Sequence, residues 1–226
     1  MKRLTSYQVE LVDVLIESKA LAFGSFTLKS GKVSPYFFNM GRAVSMGGYL
    51  AKISRCYAEK MLDTIGEDFS FIFGPAYKGI PLACSIAQTL SSAYGIDRRW
   101  GYDRKETKEY GDTRDKVLVG EVMDGDRIVM IDDVVTTGGT KVEAWEKISG
   151  LAKDVVSKGV FVAVDRQERD KDGNRPEDVL KRDGLELFSI ITATQMFDHL
   201  LNREIEGKIL VDEDIYQSFR EYREKY

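Results

Sequence analysis

Apolar residues recur along this chain in two rhythms. Near the start, Val9, Val12, Leu15 and Ile16 fall three or four positions apart behind Thr5 and Ser6, which predicts an amphipathic helix with a hydroxyl-bearing start. The next stretch, SFTLKSGKVSPYFFN at 25–39, is punctuated by glycine and proline and predicts short strands and turns. From Gly47-Gly48 a helical spacing runs to Met61. Beyond it, short apolar runs alternate with helical segments. FSFIFGP reads as a strand, IPLACSIAQTL as a helix, DRIVMIDDVV as a strand and KVEAWEKISGLA as a helix. GVFVAVDRQ then reads as a strand, EDVLKRDG as a short helix and ELFSII as a strand. Three of these strands are nearly continuous apolar runs, the pattern of strands covered on both faces by helices.

The alternation predicts an α/β fold, a doubly wound and mostly parallel sheet flanked by helices. Residues 1–226 read as a single domain, because the chain has no internal repeat, no low-complexity tract, no Pro/Ser-rich linker and only four prolines. Sheets of this kind bind ligands at the carboxyl ends of their strands. Three such ends are chemically unusual: FIFGPAYKG, VMIDDVVTTGGT and FVAVDRQE.

Composition narrows the chemistry. Lys and Arg total 33 against 37 Asp and Glu, a net charge of −4, which argues against electrostatic binding of duplex nucleic acid and leaves room for a local cation cluster on a small polyanion. The one histidine, His199, lies in the amphipathic stretch MFDHLL; a single imidazole excludes HExxH and two-histidine zinc sites. Cys56 and Cys84 fall in helical stretches and are expected to be small buried hydrophobes in a reducing compartment rather than a disulfide framework. The first twenty residues lack a signal-peptide core, and no apolar run approaches ~18 residues, so a cytoplasmic protein without a membrane partner is expected.

In VMIDDVVTTGGT a buried strand leads into two adjacent carboxylates, Asp132 and Asp133, and then into a Thr/Gly loop that opens a helix near Lys141. Backbone N–H groups at such a helix start, together with the hydroxyls of Thr136, Thr137 and Thr140, form a nest suited to a phosphate. The carboxylates repel phosphate but accept hydrogen bonds from neutral vicinal hydroxyls. Hydroxyls beside a phosphate describe a ribose 5-phosphate. The loop lacks the GxxxxGK[ST] pattern of a triphosphate P-loop and the GxGxxG pattern of a dinucleotide site. A plain helix cap is disfavoured, because two carboxylates at the end of a buried strand are costly without a partner.

VMIDDVVTTGGT resembles the 5-phosphoribosyl 1-diphosphate (PRPP) binding motif of type I phosphoribosyltransferases. FTLKSGKVSPYFFN at 26–39, FGPAYKGIPLA at 73–83 and DRKETKEYG at 103–111 are similar, in order and spacing, to the orotate phosphoribosyltransferase family. The likeness continues through Asp165-Arg166-Gln167-Glu168 and FSIIT at 188–192, so it spans nearly the whole chain. It implies the type I phosphoribosyltransferase fold with a small N-terminal hood. It also implies Mg2+-dependent transfer of 5-phosphoribose from PRPP to N1 of orotate, and a homodimer that shares a flexible catalytic loop, about 103–116, across its interface.

By the same resemblance, PRPP would meet Lys29, Tyr77, Lys78, Arg104, Lys105 and Lys108, the acidic pair Asp132 and Asp133, and the loop Val134, Val135, Thr136, Thr137, Gly138, Gly139 and Thr140. Orotate is a flat ring with a carboxylate; Phe37 and Phe38 would supply it a surface and backbone contacts, with Thr136, and Arg166 would bind its carboxylate through two parallel hydrogen bonds. Taken alone, Phe37-Phe38 would read as core, and Arg166 as a surface ion pair with Glu168 or Asp170. Catalysis would fall to Arg104, Lys105 and Lys108 around the departing diphosphate and to Asp132 and Asp133 on the ribose side. No protein cage for a metal is evident, so Mg2+ would ride on PRPP and water.

The loop departs from the family pattern in two places. Tyr110 stands where many members carry histidine, and Asp112 where they carry glutamate. A phenol stays protonated at neutral pH, which shifts the weight of catalysis onto the lysines. Segment 103–116 has five basic and five acidic residues and, taken alone, reads as a solvated hairpin. Two other readings compete: a phosphoribosyltransferase for another base, and a PRPP-sensing regulator that has kept the fold without catalysis. Ending at Tyr226, the chain is expected to carry no fused decarboxylase domain.

Overall fold

The computed structural model describes residues 3–28, 31–104 and 117–226. In chain order the elements are α1 (Ser6–Glu17), β1 (Leu21–Thr27), β2 (Val33–Phe38), the one-turn α2 (Met40–Ala43), α3 (Gly47–Ile65), β3 (Phe71–Phe73), α4 (Gly79–Tyr94) and β4 (Arg99–Asp103). They continue with β5 (Leu118–Val119), β6 (Arg127–Val135), α5 (Gly139–Ser149), β7 (Val156–Asp165), α6 (Pro176–Arg182), β8 (Leu187–Thr192) and α7 (Ala193–Leu200). A small hairpin, β9 (Glu204–Ile205) and β10 (Lys208–Ile209), precedes the last helix, α8 (Glu213–Lys225).

The central sheet has the order β5-β4-β3-β6-β7-β8. Its pairs are parallel apart from the edge strand β5, which runs antiparallel to β4. Alternating residues of the central strands feed two separate cores. Val129 and Ile131 of β6 and Phe161 and Ala163 of β7 pack with α1, α3, α4 and α7. Their neighbours Ile128, Met130, Val160 and Val162 face the other way, toward Ala144 and Ile148 of α5 and Leu180 of α6. A strand with both faces buried has no polar side to show, which explains the continuous apolar runs.

The hood is the β1–β2 hairpin, closed by Leu28 and Gly31 and seated against α8. Strands β4, β5, β9 and β10 have no counterpart in the sequence reading, because RRWGYD mixes charge with aromatics and two-residue strands carry no periodicity. The β4–β5 pairing places Tyr102 opposite Val119 and Asp103 opposite Leu118. Asp103 itself is the buried last residue of β4 rather than part of a solvated loop.

One expectation needs correction. Cys84 lies on α4 as expected but is exposed, so only Cys56 is the small buried hydrophobe anticipated; both thiols are free. The acidic pair lies within β6, which runs on to Val135 as the DRIVMIDDVV strand reading has it. No helix among the described residues is long and apolar enough to cross a membrane.

Candidate active site

The chain leaves β3 through α4 toward β4 on one side of the sheet, and leaves β6 through α5 toward β7 on the other. The strand order therefore reverses between β3 and β6, and the crevice outside their carboxyl ends is the place where open α/β sheets bind ligands. Phe73, the last residue of β3, pairs with Met130, so Asp132 and Asp133 project past the end of β3 into that crevice. The turn after β3 brings Tyr77 and Lys78 to its opposite wall.

Adjacent strand residues point to opposite faces, and the two carboxylates accordingly find different partners. Asp133 is buried, and its Oδ2 accepts a hydrogen bond from Lys78 Nζ at 2.6 Å. Asp132 Oδ2 lies 2.5 Å from Nζ of Lys141, a lysine only 8% exposed in the first turn of α5. The remaining oxygens accept from backbone: Asp132 Oδ1 from the N–H of Asp133 and Asp133 Oδ1 from that of Val134. Burial, with the charge of Asp132 next to it, raises the Asp133 pKa above the usual carboxylate value. Tyr57, fully buried on α3, donates from its hydroxyl to the Asp132 carbonyl at 2.6 Å and pins this end of β6.

After Val135 the chain turns through Thr136, Thr137 and Gly138. Gly138 has φ of 89°, a left-handed conformation that side chains resist, and a Cβ there would crowd Leu180 and the Pro176 carbonyl. No side chain caps α5; the Lys141 N–H donates to the Gly138 carbonyl, which leaves the Gly139 and Thr140 N–H groups beside the exposed hydroxyls of Thr136, Thr137 and Thr140. Val134 packs against the core and Val135 is buried, so these two contribute backbone to the crevice. On the opposite wall Tyr77 is exposed, follows a cis Ala76–Tyr77 peptide, and precedes Lys78 at the start of α4. Asp103 Oδ1 ties this turn to β4 by accepting from the Ala76 N–H at 2.6 Å. Arg104, which follows β4, is half-buried, and its N–H donates to the Val117 carbonyl.

The second half of the site lies one strand over. Val135 of β6 pairs with Asp165 of β7, so Thr136 and Arg166 leave the sheet side by side, on strands ~4.8 Å apart. Arg166 is largely buried, and its guanidinium lies 5.1 Å from the ring centre of Tyr36 in the hood. Its Nη2 is 2.6 Å from Glu168 Oε1, in ion-pair contact without hydrogen-bond geometry. The Glu168 pair considered from sequence is thus present, but it is a buried pair and not a surface one. Phe37 and Phe38 cannot both line one surface: Phe38 packs against the core, and Phe37 turns the other way to meet the Phe26 ring at 5.7 Å.

Lys29, Lys105, Lys108, Tyr110 and Asp112 lie outside the described residues. His199 on α7 is outside every motif discussed. Burial and the adjacent Arg203 hold its pKa below the ordinary imidazole value, which leaves it neutral at pH 7. Sequence reasoning missed Tyr57 and Asp103, whose roles arise from contacts across the fold, and it missed Lys141. A lysine nine positions after Asp132, at the first turn of the following helix, was the legible signal for the last.

The switch-point crevice, with an uncapped helix start, a hydroxyl-rich loop and an acidic pair, is the site of a protein that holds a phosphorylated sugar. Comparison with known proteins gives the family. Residues 47–194 match the phosphoribosyl transferase domain model. An orotate phosphoribosyltransferase of Agathobacter rectalis is 38% identical over 225 residues, 99% of each chain, and one of Clostridium acetobutylicum is 36% identical over 224 residues, again 99% of each. The crystal structure of the Francisella tularensis orotate phosphoribosyltransferase superposes with a TM-score of 0.78 at 31% identity, covering 95% of this chain and 98% of that one. The chain belongs to the phosphoribosyltransferase family and, within it, to the orotate phosphoribosyltransferases.

Proposed function

We propose that this protein transfers 5-phosphoribose from PRPP to N1 of orotate, giving orotidine 5′-phosphate and diphosphate in pyrimidine synthesis. The observation that carries this reading is the juxtaposition at the sheet end. The hydroxyl-rich loop and acidic pair open beside Thr136 and Arg166, and Arg166 in turn meets the aromatic hood. In this assignment Thr136–Thr140 hold the 5-phosphate, while Asp132 and Asp133 accept from the ribose hydroxyls. Tyr77, Lys78, Lys29, Arg104, Lys105 and Lys108 surround the diphosphate. Phe37, Phe38, Thr136 and Arg166 hold orotate, with the aromatic contact coming from one ring and the backbone of the other.

In the reaction, orotate N1 forms a bond to the ribose anomeric carbon as the bond to diphosphate breaks, and the N1 proton leaves to solvent water. Negative charge grows on the leaving diphosphate and positive charge on the ribose ring. Fixed cations on one side and carboxylates on the other stabilise both developing charges. Among the described residues no cluster of three or more His, Cys, Asp or Glu side chains is placed to hold a metal, and the acidic pair is already engaged by lysines. Mg2+ would then be held by the PRPP oxygens and water, where it neutralises diphosphate charge. The segment 103–116 acts as the catalytic loop of a single domain, in a cytoplasmic homodimer that shares the loop across its interface. The deciding test is the loss of orotate absorbance on addition of PRPP and Mg2+. Turnover of another base with none of orotate overturns the reading.

A further inference from the structure

We infer that the C-terminal helix α8 takes part in recognising the acceptor base: Tyr222, acting through Glu168, positions Arg166. The inference rests on the reading of Arg166 as the group that binds the acceptor carboxylate. Four buried side-chain nitrogen or oxygen atoms among the described residues lack a hydrogen-bond partner, and three of them are together here: Tyr36 Oη, Arg166 Nε and Arg166 Nη2. Buried polar atoms without good hydrogen-bond geometry are costly, so their concentration marks a guanidinium that its neighbours must hold in place.

The guanidinium is fixed from two directions. Below it lies the Tyr36 ring, and beside it the Glu168 carboxylate. Glu168 is in turn held by the Tyr222 hydroxyl, which donates to Oε1 at 2.9 Å, and by Lys32 Nζ at 3.6 Å from Oε2. Helix α8 is itself anchored in two ways. The Tyr226 carbonyl accepts from the Arg169 N–H at 2.6 Å, and the Phe219 ring stacks on Phe197 at 3.8 Å. A carboxylate arriving at Arg166 would meet the negative Glu168 unless that charge is already engaged. Tyr222 and Lys32 engage it and hold it to one edge of the guanidinium. Tyr36 and Tyr222 both fall outside residues 47–194, the span of the general phosphoribosyl transferase domain. A positioning role for acceptor choice suits residues outside the shared sugar-phosphate core.

Tyr222→Phe keeps the ring and removes only the donor. It should raise KM for orotate about tenfold, the loss of one hydrogen bond to a charged group, while kcat and KM for PRPP change less than about twofold. Glu168→Gln should show the same split. In an Arg166→Ala background, Tyr222→Phe should add nothing further to the orotate KM, because the two would act as one unit. If Tyr222→Phe leaves the orotate KM unchanged, or raises both KM values together with a drop in melting temperature, α8 supports the fold and the inference is wrong. If Arg166→Ala itself leaves orotate binding intact, the reading of Arg166 fails first.

Discussion

Asp133 shows at the scale of one residue how a binding site opposes stability. Its pKa is raised by burial and by Asp132, so the folded state disfavours the ionised form. Stability from such a group is complete below its unfolded pKa and is lost as pH rises through the folded value. Asp133→Asn does not titrate and keeps an oxygen for the Val134 N–H. It should therefore melt higher than the wild type at pH 7, with the gain vanishing below the carboxylate range, while turnover falls about 100-fold or more. An unchanged melting temperature across pH would show that Lys78 fully compensates the charge. Lys141→Met probes the other carboxylate. It leaves Asp132 without its cation beside a second negative charge, and should cost about 3 kcal/mol in urea unfolding, the low end for a broken buried pair because Asp132 keeps some solvent contact.

Among the elements, the turn after β3 is the most tightly constrained. A Cβ on Gly74 would lie 2.1 Å from the Gly79 carbonyl oxygen, and one on Gly79 would lie 2.8 Å from the Ile131 carbonyl oxygen. The turn and the first residue of α4 thus touch backbone to backbone, which holds Lys78 opposite Asp133. Gly74→Ala should destabilise by about 3 kcal/mol in thermal unfolding, the upper end for overpacking, and should raise KM for PRPP as Lys78 shifts. The order of central strands and helices was legible because each is amphipathic or uniformly apolar. Strands β4 and β5 were not, since they owe their pairing to neighbours across the sheet. Half of the site was legible in the same sense: Asp132, Asp133, the threonines and Arg166 stand at strand ends, where sequence and topology coincide. Tyr57 emerged only when α3 packed onto the sheet, whereas Lys141 left a signal in its spacing from Asp132. Which of Phe37 and Phe38 turns its ring outward was not legible, because strand geometry sends neighbours to opposite faces and only packing decides which face is core.

For the whole molecule, the sheet end is where the proposed function places the sugar-phosphate chemistry, and hood and tail meet over the neighbouring strand. If the 103–116 loop serves the other subunit's site, two inactive variants should complement each other. Lys105→Ala mixed with Asp133→Asn would regenerate one site with an intact acidic pair and an intact loop, and orotate consumption should reappear on subunit exchange. Persistent inactivity in verified heterodimers would confine each loop to its own site. The uneven cysteines have a practical consequence. Cys56 is buried, and its thiol is pushed up to about 12 by burial and by Glu10, so it presents almost no reactive thiolate. Cys84 stands exposed on α4, whose first turn follows Lys78. A maleimide dye would therefore label the native chain at one position without any engineered cysteine, and would place a fluorescent reporter on the helix that begins where diphosphate is expected to arrive.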